Sequence, residues 1–215
     1  MNNLDFVEIN KLFAFYAPAI ICTGVLLFSF FSSVAYKGLF FIFLVYLATM
    51  IRWTIWPIGA TAANIANNSF KCFTGQPWFQ STGNTTYSTF VIWFSLMYFL
   101  IPQIIQSSKY DTSMVNYGIA GFFVAYFVYD ILVKKSISCV NLDWTSAGIG
   151  RVMADIVGGS ALATIIVCLI YYSSVSSLLF INELNSNKEV CTQPSKQQFK
   201  CSVYKNGELV KQSLH

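Results

Sequence analysis

The sequence predicts an all-α polytopic membrane protein of about five transmembrane helices with a small C-terminal β-hairpin tail. Three observations carry that expectation. The 215 residues are 55% apolar and only 10% charged, against about 25% charged in an ordinary soluble domain. The 22 charged residues are also unevenly placed. Eight lie in 182–215 and three in the first eleven residues, so the 169 residues of 12–180 share eleven. A water-facing shell needs far more charge than this. Finally, five apolar stretches reach the roughly 20 residues that a helix needs to cross a hydrocarbon layer of about 30 Å. A soluble enzyme, a nucleic-acid reader and a disordered tail protein are excluded, and the net charge of +4 is no argument for nucleic acid.

The spans are expected at 12–36, 38–61, 87–106, 115–133 and 152–181, making 1–181 a transmembrane bundle and 182–215 an exposed tail. Four spans is the alternative, if the first hairpin does not cross. The first run is uncharged and is followed at once by Lys37-Gly38, which reads as a tight turn into the second. Asp5 and Glu8 precede it, and it is longer than a signal core, so it is expected to remain as a span rather than be cleaved. Pro18, Pro57 and Pro102 each remove a backbone donor near a span and should kink or end a helix. Counting Lys and Arg near the span ends puts the N-terminus and the 62–86 and 134–151 loops inside and the tail outside. The triplets Asn67-Asn68-Ser69 and Asn84-Thr85-Thr86 would place the 62–86 loop outside if glycosylated; the reading adopted leaves them unmodified. That loop is turn-rich yet carries Phe70, Phe73, Trp78 and Phe79. This suits an interfacial re-entrant segment, with a protein-docking surface as the alternative.

In the tail, Cys201-Ser-Val-Tyr-Lys205 and Glu208-Leu-Val-Lys-Gln212 flank Asn206-Gly207, a pair that favours a type I′ turn and hence a short β-hairpin. So small a unit cannot build a core unaided, and a Cys191–Cys201 disulfide is the natural staple, with two free thiols as the alternative. Cys22 and Cys168 lie within spans, and Cys72 and Cys139 in loops on one side.

Charges inside lipid need a partner or a purpose. Arg52 is expected near the end of the second span, snorkelling to the interface beside Trp53 and Trp56; the alternative is a binding charge for an anion, a headgroup or a partner helix. Asp130 with Lys134, and Arg151 with Asp155, are spaced i, i+4 and are expected to neutralise one another near the interface. In the fifth span Gly150, Ala154 and Gly158 recur every fourth residue, with Gly159, Ala163 and Val167 beside them, a spacing that lets helix backbones approach closely. Leucine at Gly158 is therefore expected to do more damage than Asp155→Asn.

Catalytic chemistry is not legible. The single histidine is His215, and no triad, phosphate loop or intramembrane carboxylate pair can be assembled. No metal or cofactor site is expected. Three readings stand: a structural protein tethering a membrane to other proteins, a small channel or carrier using Arg52, Asp130 and Asp155, and a chaperone-like, non-catalytic subunit of a larger membrane complex. Expected partners are the bilayer and other membrane or capsid proteins, in an oligomeric assembly and without nucleic acid.

The run Gly83-Asn84-Thr85-Thr86-Tyr87-Ser88-Thr89-Phe90 leading into an aromatic span, and Asn116-Tyr117-Gly118 opening the next, resemble multi-span membrane proteins of large DNA viruses over about the middle third of the chain. The resemblance implies a virion inner-membrane protein or minor capsid component that anchors a shell to the membrane beneath. It brings no catalytic residues. In a virus assembling in the cytosol with its own thiol-oxidising system, cysteine pairing would not report which side is extracytoplasmic.

Overall fold

The computed structural model describes residues 6–55, 86–110, 115–137, 140, 149–181, 200–205 and 208–214. Among them are six α-helices: α1 Phe6–Phe15, α2 Ala17–Phe31, α3 Ala35–Ile55, α4 Tyr87–Tyr110, α5 Tyr117–Ser136 and α6 Ile149–Tyr171. Four of these, α3 to α6, are long and apolar enough to cross a membrane. The protein is an all-α polytopic membrane protein.

The first expected span is not one helix. It divides at Tyr16 into α1 and α2, which meet at 73°. Pro18 stands in the first turn of α2, where its missing N–H costs nothing, while a straight helix through 12–36 would have lost that bond mid-span. At 15 residues, α2 is about 22 Å long and too short to cross alone. A fifth crossing exists only if the bent pair counts as one.

The turn into α3 also departs from expectation. It falls at Ser32–Val34 and not at Lys37-Gly38, both of which lie inside α3. Ser33 takes the left-handed conformation (φ 58°), and Val34 N–H donates to the Ser29 carbonyl at 2.9 Å. Gly38 instead permits close approach, because a Cβ there would sit 2.6 Å from Ser29 Oγ.

The hub is α4, with 67% of its spanning window buried against 17% for α5. A helix apolar all round belongs inside a bundle, and α4 packs most extensively on α6, then on α5. Its Phe99 ring lies 5.4 Å from Phe41 of α3, 6.0 Å from Phe123 of α5 and 5.7 Å from Phe180 beyond α6. One aromatic side chain thus touches three neighbouring elements in stacked and edge-on geometries that favour ring quadrupoles. The helix continues through Pro102. One residue on, Gln103 Nε2 donates to the Phe99 carbonyl, while its Oε1 accepts from Asn116 N–H at 2.7 Å. Asn116 in turn caps α5, accepting from Gly118 N and Ile119 N. The Asn-Tyr-Gly triplet is therefore a helix start.

The helix expected to reach residue 181 ends at Tyr171 and gives way to a 3₁₀ turn, Ser176–Leu178. The serines account for this ending: Ser173 Oγ donates to the Ile170 carbonyl and accepts from Val175 N–H, competing with helical bonding. In the tail, β1 Lys200–Lys205 pairs antiparallel with β2 Glu208–Leu214, with a bulge where Val203 faces Lys211 and Tyr204 faces Leu209. The Asn206-Gly207 turn, Cys191 and the 56–85 segment lie outside the described residues.

Candidate functional site: two buried ion pairs at one end of the bundle

The last turns of α3 and α5 meet the first turns of α4 and α6. There Arg52 Nε donates to Asp155 Oδ1 at 2.8 Å and its Nη2 to Oδ2 at 2.9 Å, a bidentate pair of the strong planar kind. Both side chains are about 5% exposed or less. Thr86 Oγ1 also donates to Asp155 Oδ2, and the guanidinium lies over the Tyr87 and Phe90 rings at 5.7 and 5.4 Å, within cation–π range.

Arg52 therefore does not snorkel. The neighbouring Trp53 is outward and 65% exposed, while Arg52 points into the bundle. Asp155 is correspondingly paired across helices and not with Arg151 one turn earlier. The i, i+4 spacing permitted that local pair. The bidentate alternative buries both charges in each other's company, where a half-exposed local pair gains little.

The second pair does follow its i, i+4 spacing. Lys134 Nζ lies 2.8 Å from Asp130 Oδ1 and donates to Oδ2 at 2.9 Å. Ser88 Oγ donates to the same Oδ2 at 2.9 Å, and Lys134 Nζ also contacts Ser88 Oγ. Both charged side chains are fully buried, so this pair is deeper in protein than an interfacial placement requires. Its cover is α1. The Phe15 ring lies 5.4 Å from Lys134 Nζ, Tyr129 OH donates to Asn10 Oδ1 at 2.7 Å, and Tyr126 OH donates to the Phe13 carbonyl at 3.0 Å.

One element serves both carboxylates. Thr86 and Ser88, two residues apart where α4 begins, each give a hydroxyl to a different aspartate. Sequence reasoning passed over them because hydroxyl residues are common at helix starts. The only usable signal was a cluster of hydroxyl residues, Thr85, Thr86, Ser88 and Thr89, opening an aromatic span. At the opposite end Lys37, also buried, donates from Nζ to the Leu179 carbonyl at 2.9 Å. Lys37→Met should cost about 1.5–3 kcal/mol, the worth of the charge-assisted bond that is lost, while the Leu179 carbonyl keeps the Ile181 N–H at 3.1 Å. A reduced midpoint in detergent unfolding reports it; an unchanged midpoint would make the bond incidental.

The small residues of α6 sort by face. Gly150 is exposed and Ala154 half-buried, whereas Gly158, Gly159, Ala163 and Val167 are buried. The approach is close at Gly159, where a Cβ would lie 2.6 Å from the Phe90 carbonyl oxygen and 3.2 Å from Phe94 N on α4. Cys22 and Cys168 are free thiols. Among the described residues, no three of His, Cys, Asp and Glu gather to hold a metal.

Comparison with protein-family models, curated proteins and solved structures finds no match.

Proposed function

We propose that this membrane-spanning protein is structural and non-enzymatic: a rigid helical anchor whose tail engages a protein partner on one face of the membrane. One observation supports this most. The deep charges of the bundle are matched at short range, Arg52 with Asp155, Lys134 with Asp130 and Lys37 with a backbone carbonyl. A carrier needs polar groups that exchange between a solute and the protein, typically at broken helices near the midplane. Here both ion pairs sit at one end, closed by hydroxyls and aromatic rings, and serve to fix helix positions.

The paired strands of the tail supply edges to which a partner's strand could add, and its five lysines favour an acidic surface. The resemblance to virion membrane proteins suggests a capsid shell as one such partner.

Two measurements test the proposal. Ion and proton flux across vesicles holding the purified protein is expected to equal that of empty vesicles. Deleting 182–215 is expected to remove the protein partners that copurify in mild detergent while the bundle still folds. Flux that disappears in Asp130→Asn would replace the anchor with a conducting bundle. An unchanged set of partners after the deletion would move the contact surface to the helices.

A further inference from the structure

A cavity of about 410 Å³ opens between α2 and α3 at the side of the bundle, reaching from Ile42 to Trp53 along α3 and touching Tyr87 of α4. Eleven residues of helix rise make it about 16 Å long, and its volume is that of a small-ligand site. Its walls include Pro18, Val45 and Met50, so its body suits a hydrocarbon. The mouth is flanked by Tyr46 and Trp53, both more than half exposed, on a surface that faces lipid.

The end near Trp53 is different. Thr49 Oγ1 donates to the Val45 carbonyl at 2.7 Å, and the same oxygen lies 2.7 Å from Tyr87 OH. A hydroxyl has one proton. Since that of Thr49 is used on Val45, Tyr87 must donate to Thr49. Both oxygens then keep lone pairs and neither keeps a proton, so this end of the cavity can accept a hydrogen bond but has no hydroxyl proton left to give. Arg52 beside it is already matched by Asp155, which removes the attraction for an anionic head. The polar end also lies at the ion-pair end of the bundle, beside Trp53, and tryptophan is a residue type that aromatic belts concentrate at the interface.

We propose that this cavity binds a neutral, single-hydroxyl lipid, its hydroxyl donating to the Thr49–Tyr87 pair and its hydrocarbon lying along α3 toward Ile42. Sterols and long-chain alcohols share this chemistry. The orientation is the one such a molecule takes in a bilayer, with its hydroxyl at the interface.

The full chain in phosphatidylcholine vesicles would be exposed to two photoactivatable probes, a diazirine sterol and a diazirine hexadecanol. Adducts would be mapped by mass spectrometry. Adducts should concentrate in 17–22 and 42–53 and be competed by the matching unlabelled alcohol; whichever probe is competed at lower concentration identifies the source. The corresponding methyl ethers, which cannot donate, should compete about three- to tenfold less well, the range expected for one hydrogen bond. Tyr87→Phe/Thr49→Val, which removes both acceptor oxygens, should weaken labelling by a similar factor and abolish the difference between alcohol and ether. Ala19→Phe, which narrows the cavity, should reduce labelling by both probes. The ether comparison uses the unaltered protein, so it remains decisive if a variant misfolds. Equal competition by alcohol and ether overturns the proposal. So do adducts spread evenly over Phe122 and Leu132 on the outer face of α5, which would show general lipid contact only.

Discussion

Asp155→Leu should destabilise the bundle by about 3–5 kcal/mol, the cost of leaving one partner of a buried ion pair without the other. Arg52 would be left among the Tyr87 and Phe90 rings with its bidentate acceptor gone. Arg52→Met should be of comparable size, stranding the carboxylate with the Thr86 hydroxyl as a neutral donor in place of a cation. The double variant Arg52→Met/Asp155→Leu should recover most of the loss, because two apolar side chains in place of a buried pair are often neutral or stabilising. Unfolding of the four proteins in a detergent titration closes the double-mutant cycle. Additive single effects would mean that the charges do not act on one another. The expectation that Asp155→Asn does little damage rested on pairing with Arg151, and the structure gives Asp155 a different partner, Arg52.

This reversal shows what the sequence could and could not convey. The membrane class, the positions of α3 to α6 and the Asp130–Lys134 pair follow from composition and local spacing, which are one-dimensional signals. Arg52 with Asp155 is a contact across 103 positions, and a lone charge near a span end has the same local pattern whether it turns outward or inward. The break at Tyr16 was partly legible, because Pro18 announced a disruption. Its consequence was not: whether a helix kinks or splits depends on what covers the freed end, and here the Asn10, Phe13 and Phe15 contacts with α5 hold α1 across the ion-pair end. Lys37-Gly38 misled for a related reason. Glycine is used both in turns and in close packing, and only the neighbouring Ser29 decides between them.

The same geometry is the ground on which an anchor is proposed in preference to a carrier. Two carboxylates held by hydroxyls from one helix start tie the order of four helices together, so moving any one of them breaks a buried contact. Alternating access needs an element with two comparably stable arrangements. A layer that closes two ion pairs at once raises the free energy of every arrangement but one.

Gly159→Leu should damage the bundle far more than Gly150→Leu. Gly158 of the four-residue stripe and Gly159 beside it are both buried on α6, and at Gly159 the approach is to the backbone of α4. Even one methyl group at 159 meets the Phe90 carbonyl oxygen at 2.6 Å and Phe94 N at 3.2 Å. Both are main-chain atoms within α4 and cannot turn aside, so α4 and α6 must separate. Gly159→Ala should therefore already cost about 1–3 kcal/mol from overpacking. Leucine should cost more and lower the yield of folded protein, because the separation also strains the Arg52–Asp155–Thr86 contacts one turn earlier on α6. Gly150→Leu, on an exposed position, and Gly24→Ala, where an added Cβ meets nothing within 4 Å, should be close to neutral apart from local helix propensity. Folded yield by gel filtration in detergent, followed by unfolding midpoints, ranks the four variants. If Gly150→Leu proves as damaging as Gly159→Leu, the outer stripe is covered by another helix in the assembled protein, and close packing on α6 extends beyond its contact with α4.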